Sequence, residues 1–273
     1  MNFFIRASNG WDIARRSFKV VEANKQLIIF PLLSGISLFL ILIPVAWAII
    51  HDVKWDIDGS VNALNYLYVF GFYLINYFVV VFFNSALTYS VSIYFKGEEV
   101  SIKKGIAYSV GHIGIIFSWA LSAATVGTIL RIIMNHAGFP GKLLAGIASS
   151  LFGLATYFVV PIMVFEKLGP ISAFKHSAKM VKGKWGETVG ATFNFVFIQF
   201  MTLIFIAIIS FTIGTVVNPL AGVIAGIFGV FMMLTVISAA RIIFITAAYH
   251  GINADPVAQF EKAFVEKMFI AAN

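Results

Sequence analysis

No residue between Gln26 and Ile50 carries a charge, and none does between Val61 and Phe95. A helix needs about 20 apolar residues to cross the hydrocarbon core of a bilayer, and such a helix satisfies its backbone hydrogen bonds internally, as a chain in lipid must. Both runs are therefore read as membrane spans. A signal peptide is the competing reading of the first, because Ala46-Trp47-Ala48 has the small-residue spacing of a cleavage site. It is set aside because the apolar region of a signal peptide covers about 7–15 residues, whereas this run is longer and follows an amphipathic segment, residues 1–25.

The same reading places spans at 26–50, 64–95, 113–133, 143–165, 189–216 and 221–248. Gly138-Phe139-Pro140-Gly141 and Asn218-Pro219 punctuate two of the connections. Composition agrees, since 11% of residues are charged and 60% apolar, against about 25% charged in a soluble domain. A globule of this size in water would lack the polar surface to cover itself.

Direction follows from the basic residues. Sixteen of the 19 fall on one side of the six spans: Arg6, Arg15, Arg16, Lys19, Lys25, Lys96, Lys103, Lys104, Lys167, Lys175, Lys179, Lys182, Lys184, Arg241, Lys262 and Lys267. Lys54, Arg131 and Lys142 fall on the other, with Asp52, Asp56 and Asp58. The positive-inside rule makes the first side cytoplasmic. The expected fold is an all-α integral membrane domain over residues 1–273. It has six transmembrane helices arranged as three hairpins, each preceded by an amphipathic cytoplasmic helix, with both termini cytoplasmic.

The amphipathic segments carry the repeat. Before span one, Trp11, Ile13, Ala14, Phe18 and Val21 recur at helical spacing, with Arg15, Arg16, Lys19 and Glu22 mainly opposite. Val100 to Val110, with Lys103 and Lys104, precedes span three; Ile171 to Trp185, with Lys175, Lys179 and Lys182, precedes span five. Arg15-Arg16-Ser17-Phe18-Lys19-Val20-Val21 aligns with Lys175-His176-Ser177-Ala178-Lys179-Met180-Val181, so two cations, a serine, a cation and a valine coincide. Basic amphipathic helices beside a membrane lie in the headgroup plane and reach anionic phosphates. Arg15, Arg16, Lys19, Lys103, Lys104, Lys175, Lys179 and Lys182 are the candidate contacts to anionic lipid. Plain anchoring and topology is the alternative reading of the same residues. Residues 256–270 form a further expected surface helix, with Val257, Phe260, Phe264 and Phe269 among Glu261, Lys262, Glu266 and Lys267.

Chemistry-bearing motifs are missing. The chain has no cysteine, which excludes thiol catalysis and thiolate metal sites. It has no His-Glu-x-x-His, Gly-x-Ser-x-Gly or Gly-x-x-x-x-Gly-Lys. None of the 12 acidic residues lies inside an expected span, and the histidines are dispersed. No enzymatic activity, cofactor or metal is expected, and no nucleic-acid partner, since no basic soluble domain is available to hold one.

Charge at membrane depth is the default pointer to function. Arg241 lies between Thr235–Ala240 and Ile242–Ala248, and Glu166 follows span four; an Arg241–Glu166 ion pair is the expectation, with lone snorkelling of Arg241 as its alternative. Asn76, Asn84, Asn194 and Gln199 are candidates for a polar path, or for ordinary hydrogen bonds between helices. Gly222, Gly226 and Gly229 form a small-residue stripe suited to helix packing, and Gly146, Ser149, Ser150 and Gly153 form another. Pro161 removes a helical donor and should bend span four.

The segment Val160-Pro161-Ile162-Met163-Val164-Phe165-Glu166-Lys167-Leu168-Gly169-Pro170, followed by Ala173-Phe174-Lys175-His176-Ser177, resembles a signature of uncharacterised bacterial six-span inner-membrane proteins. It is also similar to the membrane domain that precedes some glycerophosphodiester phosphodiesterases. Gly10-Trp11, Ser17 and Phe30-Pro31 resemble the opening of the same group. The resemblance implies a multi-pass protein of the bacterial inner membrane and brings no substrate or activity. The expected function is non-enzymatic binding or movement of a lipid or small molecule, with membrane lipids as partners. A scaffold that contacts a second copy or another membrane protein, and a channel or secondary transporter, are the alternatives.

Overall fold

The computed structural model describes residues 15–51, 63–183 and 185–252. Every regular element among them is helical. α1 runs from Arg15 to Ala23, and a single 3-10 turn, Lys25–Ile28, joins it to α2, Ile29–His51. α3 is Ala63–Phe95, α4 Ile102–Gly111, α5 Ile113–His136, α6 Phe139–Ala155, α7 Val159–Glu166, α8 Pro170–Gly183, α9 Trp185–Val216 and α10 Pro219–Ile252. Among the described residues five stretches are long and apolar enough to cross a membrane, and α1 with the start of α2 makes a sixth if that bent pair is counted as one span. The chain is thus a multi-pass membrane protein with five to six candidate spans. Residues 1–14 and the expected surface helix at 256–270 lie outside the described residues.

The helices overrun their expected bounds for identifiable reasons. α6 starts at Phe139, where Leu143 was expected, because Pro140 occupies its first turn, in which a missing N–H costs nothing. α9 and α10 measure 32 and 34 residues, about 48 and 51 Å at 1.5 Å per residue, against about 30 Å of hydrocarbon. Hydropathy marks only the part that lipid covers. α3 stops on a left-handed Gly97, with the Glu98 N–H reaching back to the Ile93 carbonyl at 3.2 Å, a closure that favours glycine.

Span four is two helices. The interruption lies at Thr156–Phe158, upstream of Pro161, which becomes the third residue of α7. Breaking the helix there places the proline in a first turn, where its missing N–H has no intrahelical partner to lose.

The described residues cluster into two compact units. One contains residues 15–32, 87–105 and 182–252. Its core holds Leu27, Phe30, Val91, Phe195 and Ile243, all fully buried, and α9 packs along α10. The other contains residues 33–51, 63–86 and 106–181. In it α5 packs on α6, with Trp119 stacked on Phe152 at 6.4 Å and Phe152 on Phe174 of α8 at 5.8 Å. Gly127 of α5 leaves room for the Tyr73 and Tyr77 rings of α3.

Exposure changes sharply along the long helices. On α10 the exposed large apolar side chains all lie between Leu220 and Leu234, whereas Ile242 to Tyr249 are buried without exception. The first stretch has the surface that lipid covers. The second is wrapped by protein, as are Ser85 to Thr88 and Ser90 to Ile93 of α3.

Candidate functional site

The three short helices α1, α4 and α8 repeat one design, and α1 and α8 share a register. In α1, Ser17, Val20 and Val21 are buried while Arg15, Lys19 and Glu22 are exposed. In α8 the matching positions Ser177, Met180 and Val181 are buried while Lys175, Lys179 and Lys182 are exposed. α4 buries Gly105 and Ser109 and exposes Lys103 and Lys104. Arg16 is half-buried. Side chains three and four apart share a helix face, so each helix has one packed face and one basic face. The axis of α1 turns by 104° into the helix that begins at Lys25.

A serine fixes each of two of these helices to the returning span before it. The Ser109 hydroxyl donates to the Phe82 carbonyl of α3 at 2.9 Å. The Ser177 hydroxyl accepts the Phe158 N–H at 3.0 Å, which is the backbone donor set loose by the break in span four. Tyr108 of α4 donates to the Val164 carbonyl near the end of α7 at 2.6 Å. Glu166 completes the corner, its Oε2 lying 2.9 Å from His176 Nδ1. A carboxylate only accepts, so His176 carries its proton on Nδ1. The motif around Val160–Ser177 is therefore a helix-to-helix corner held by backbone donors and acceptors. Ser177 was visible in the sequence as a repeat position, but Ser109 was missed, although Ala107-Tyr108-Ser109 occupies the same register in the middle copy.

Lys167 turns this corner with φ 54°, in the left-handed region that costs an L-residue about 1–2 kcal/mol. Lys167→Gly should leave the thermal midpoint in detergent unchanged or raise it, whereas Lys167→Val should lower stability by about 1–2 kcal/mol. Both remove the charge, so equal behaviour of the two would locate the effect in the ammonium group instead of the backbone.

Arg241 belongs to one unit and Glu166 to the other. The Arg241 guanidinium lies 5.9 Å from the centre of the Phe195 ring. Phe195, itself fully buried, meets Phe244 at 5.8 Å and Phe18 of α1 at 6.2 Å. A cation over an aromatic face gains about 0.5–2 kcal/mol. The phenylalanine neighbour was the unforeseen part, because sequence gives no register between α9 and α10.

The other candidates spread out. Asn76 and Asn84 are half-buried on α3; Asn194 is buried and Gln199 half-buried on α9. Asn194 and Gln199, five residues apart, point to different sides of their helix. Gly222, Gly226 and Gly229 of α10 face α9: a methyl group on them would come within 2.6 Å of the Ser210 carbonyl, 2.9 Å of the Ser210 hydroxyl and 2.9 Å of Ile206 respectively. Gly146 and Gly153 of α6 have nothing within 4 Å of an added methyl group, and Ser149 and Ser150 beside them are exposed. No three His, Asp or Glu residues come together among the described residues.

Comparison with curated proteins and with solved structures gives no match, and nothing links the chain to the glycerophosphodiester phosphodiesterases whose membrane domain its signature resembles. A family model does match, over residues 63–265, from α3 through the end of α10 and beyond. With most of its length covered by that model, the chain belongs to the family of unknown function DUF6159.

Proposed function

We propose that this protein is a non-enzymatic component of the bacterial inner membrane that binds anionic lipid through the basic faces of the cytoplasmic helices α1, α4 and α8. The observation that carries the reading is the shared register of α1 and α8. Of the six exposed positions that match in register, five are cations and one is Glu22; the matched packed positions are serine, valine and methionine, and α1 turns by 104° into the helix that follows it. A basic row held rigidly in the headgroup plane gains about 1 kcal/mol per cation from anionic phosphates. Anchoring alone would be served by cations on flexible loops; here serine hydrogen bonds fix two of the helices in place. The positive-inside bias assigns this face, and both termini, to the cytoplasm.

The test is the lipid preference of the reconstituted protein, read with spin-labelled phosphatidylglycerol against spin-labelled phosphatidylcholine. Wild type should enrich the anionic probe. The variant K103Q/K104Q/K175Q/K179Q should lower that preference by about fivefold or more, the equivalent of 1 kcal/mol, and the difference should shrink in high salt. An unchanged preference would return these lysines to topology alone.

A further inference from the structure

We propose that Arg241, held over Phe195 beside α1, forms a discrete binding site for the phosphodiester of one anionic lipid. This rests on the lipid-binding reading above and narrows it to a single position that the lysines of α4 and α8 do not supply.

Two helices independently set the depth of the site. Twenty-two residues separate Pro219 from Arg241 on α10, about 33 Å of helix. Twenty-one separate Phe195 from Val216 on α9, about 32 Å. The hydrocarbon core is about 30 Å thick, so both residues fall at the headgroup boundary. Exposure on α10 agrees, because its last exposed large apolar side chain is Leu234 and protein wraps it from Ile242 to Tyr249. Arg241 sits at that border, half-buried.

The chemistry suits a phosphodiester. The Phe195 contact positions the cation through its charge and uses none of its N–H donors. A guanidinium presents those donors as a planar fork that matches two phosphate oxygens. Phe18 ties α1 to the same ring, and on α1 Arg15 lies one turn before Phe18 and Lys19 directly after it, both exposed. Glu22 is exposed one turn further on, which confines the positive field to the Arg15–Lys19 end. This depth favours a lipid headgroup over a soluble phosphate.

The experiment is native mass spectrometry of the full-length protein in mild detergent, titrated with phosphatidylglycerol, with phosphatidylcholine or with millimolar inorganic phosphate. Wild type should retain one phosphatidylglycerol in preference to phosphatidylcholine. R241Q should hold it about tenfold to a hundredfold more weakly, as expected for loss of charge-assisted hydrogen bonds. R241K, which keeps the charge without the fork, should fall between the two, and F195L, which keeps apolar volume without the ring, should also weaken retention. The lysine variant K103Q/K104Q/K175Q/K179Q should keep the single tight lipid while losing bulk preference. Equal retention by R241Q and wild type would overturn the site; where R241Q fails to fold, equal retention by both R241K and F195L does so. Loss of the tight lipid in the lysine variant but not in the Arg241 variants would sink this site and leave the reading of the basic helices standing. Displacement of the lipid by inorganic phosphate would overturn the lipid assignment.

Discussion

Gly222→Leu is expected to abolish the folded protein. A Cβ at Gly222 would lie 2.6 Å from the Ser210 carbonyl oxygen and 2.7 Å from Gly214 Cα, both backbone atoms, so no side-chain rotation relieves the clash. Overpacking of a filled contact costs about 1–3 kcal/mol, and more where the backbone must move. In lipid the close approach of α9 and α10 has no hydrophobic force to rescue it, because tails solvate leucine as well as a neighbouring helix does. Gly153→Leu is the control, since that position opens outward. Monodisperse yield in detergent, followed by thermal unfolding of whatever survives, should show near-complete loss for the first variant and little change for the second. Comparable behaviour of the two would remove the contact from any role in stability.

Ser177→Ala should produce the next largest loss. The Ser177 oxygen is the acceptor for the Phe158 N–H, and both residues are buried. Alanine leaves that amide without a partner at a site closed to water, which costs about 1–3 kcal/mol. Ser172→Ala on the same helix is exposed and should change stability by less than about 0.5 kcal/mol. Hydrogen exchange of the Phe158 amide gives a local readout, with protection lost in the first variant and kept in the second. Retained protection would mean that α7 satisfies its own first turn and that the serine is incidental.

The membrane-spanning segments were legible because a charge-free run of twenty or more residues has few other solutions. Their inner limits were less legible for a physical reason. α3 and α10 continue as helices past the hydrocarbon into protein-wrapped segments, where polar residues such as Ser90, Ser92 and Thr246 are accommodated and hydropathy no longer reports the boundary. Pro161 was read correctly as a disturbance and placed three residues late, because the chain breaks where a hydroxyl on another helix can take the freed amide. That partner lies 19 residues away in sequence and leaves no periodic trace. The basic faces were read from spacing alone, and all but the half-buried Arg16 are exposed. Arg241 stood out as a cation at depth, yet the ring beneath it did not, since helical periodicity says which residues share a face and nothing about which face of a neighbour they meet.

The glycine contact between α9 and α10 has a mechanical consequence. Backbones that touch at Ser210, Gly214 and Gly222 leave no side-chain layer to shear, so the two helices cannot slip past one another by small adjustments. In a thinner or thicker bilayer an individual helix adapts by tilting; this pair must lean as one stiff ribbon. Bilayer thickness would then be passed undiminished along α10 to its protein-wrapped end.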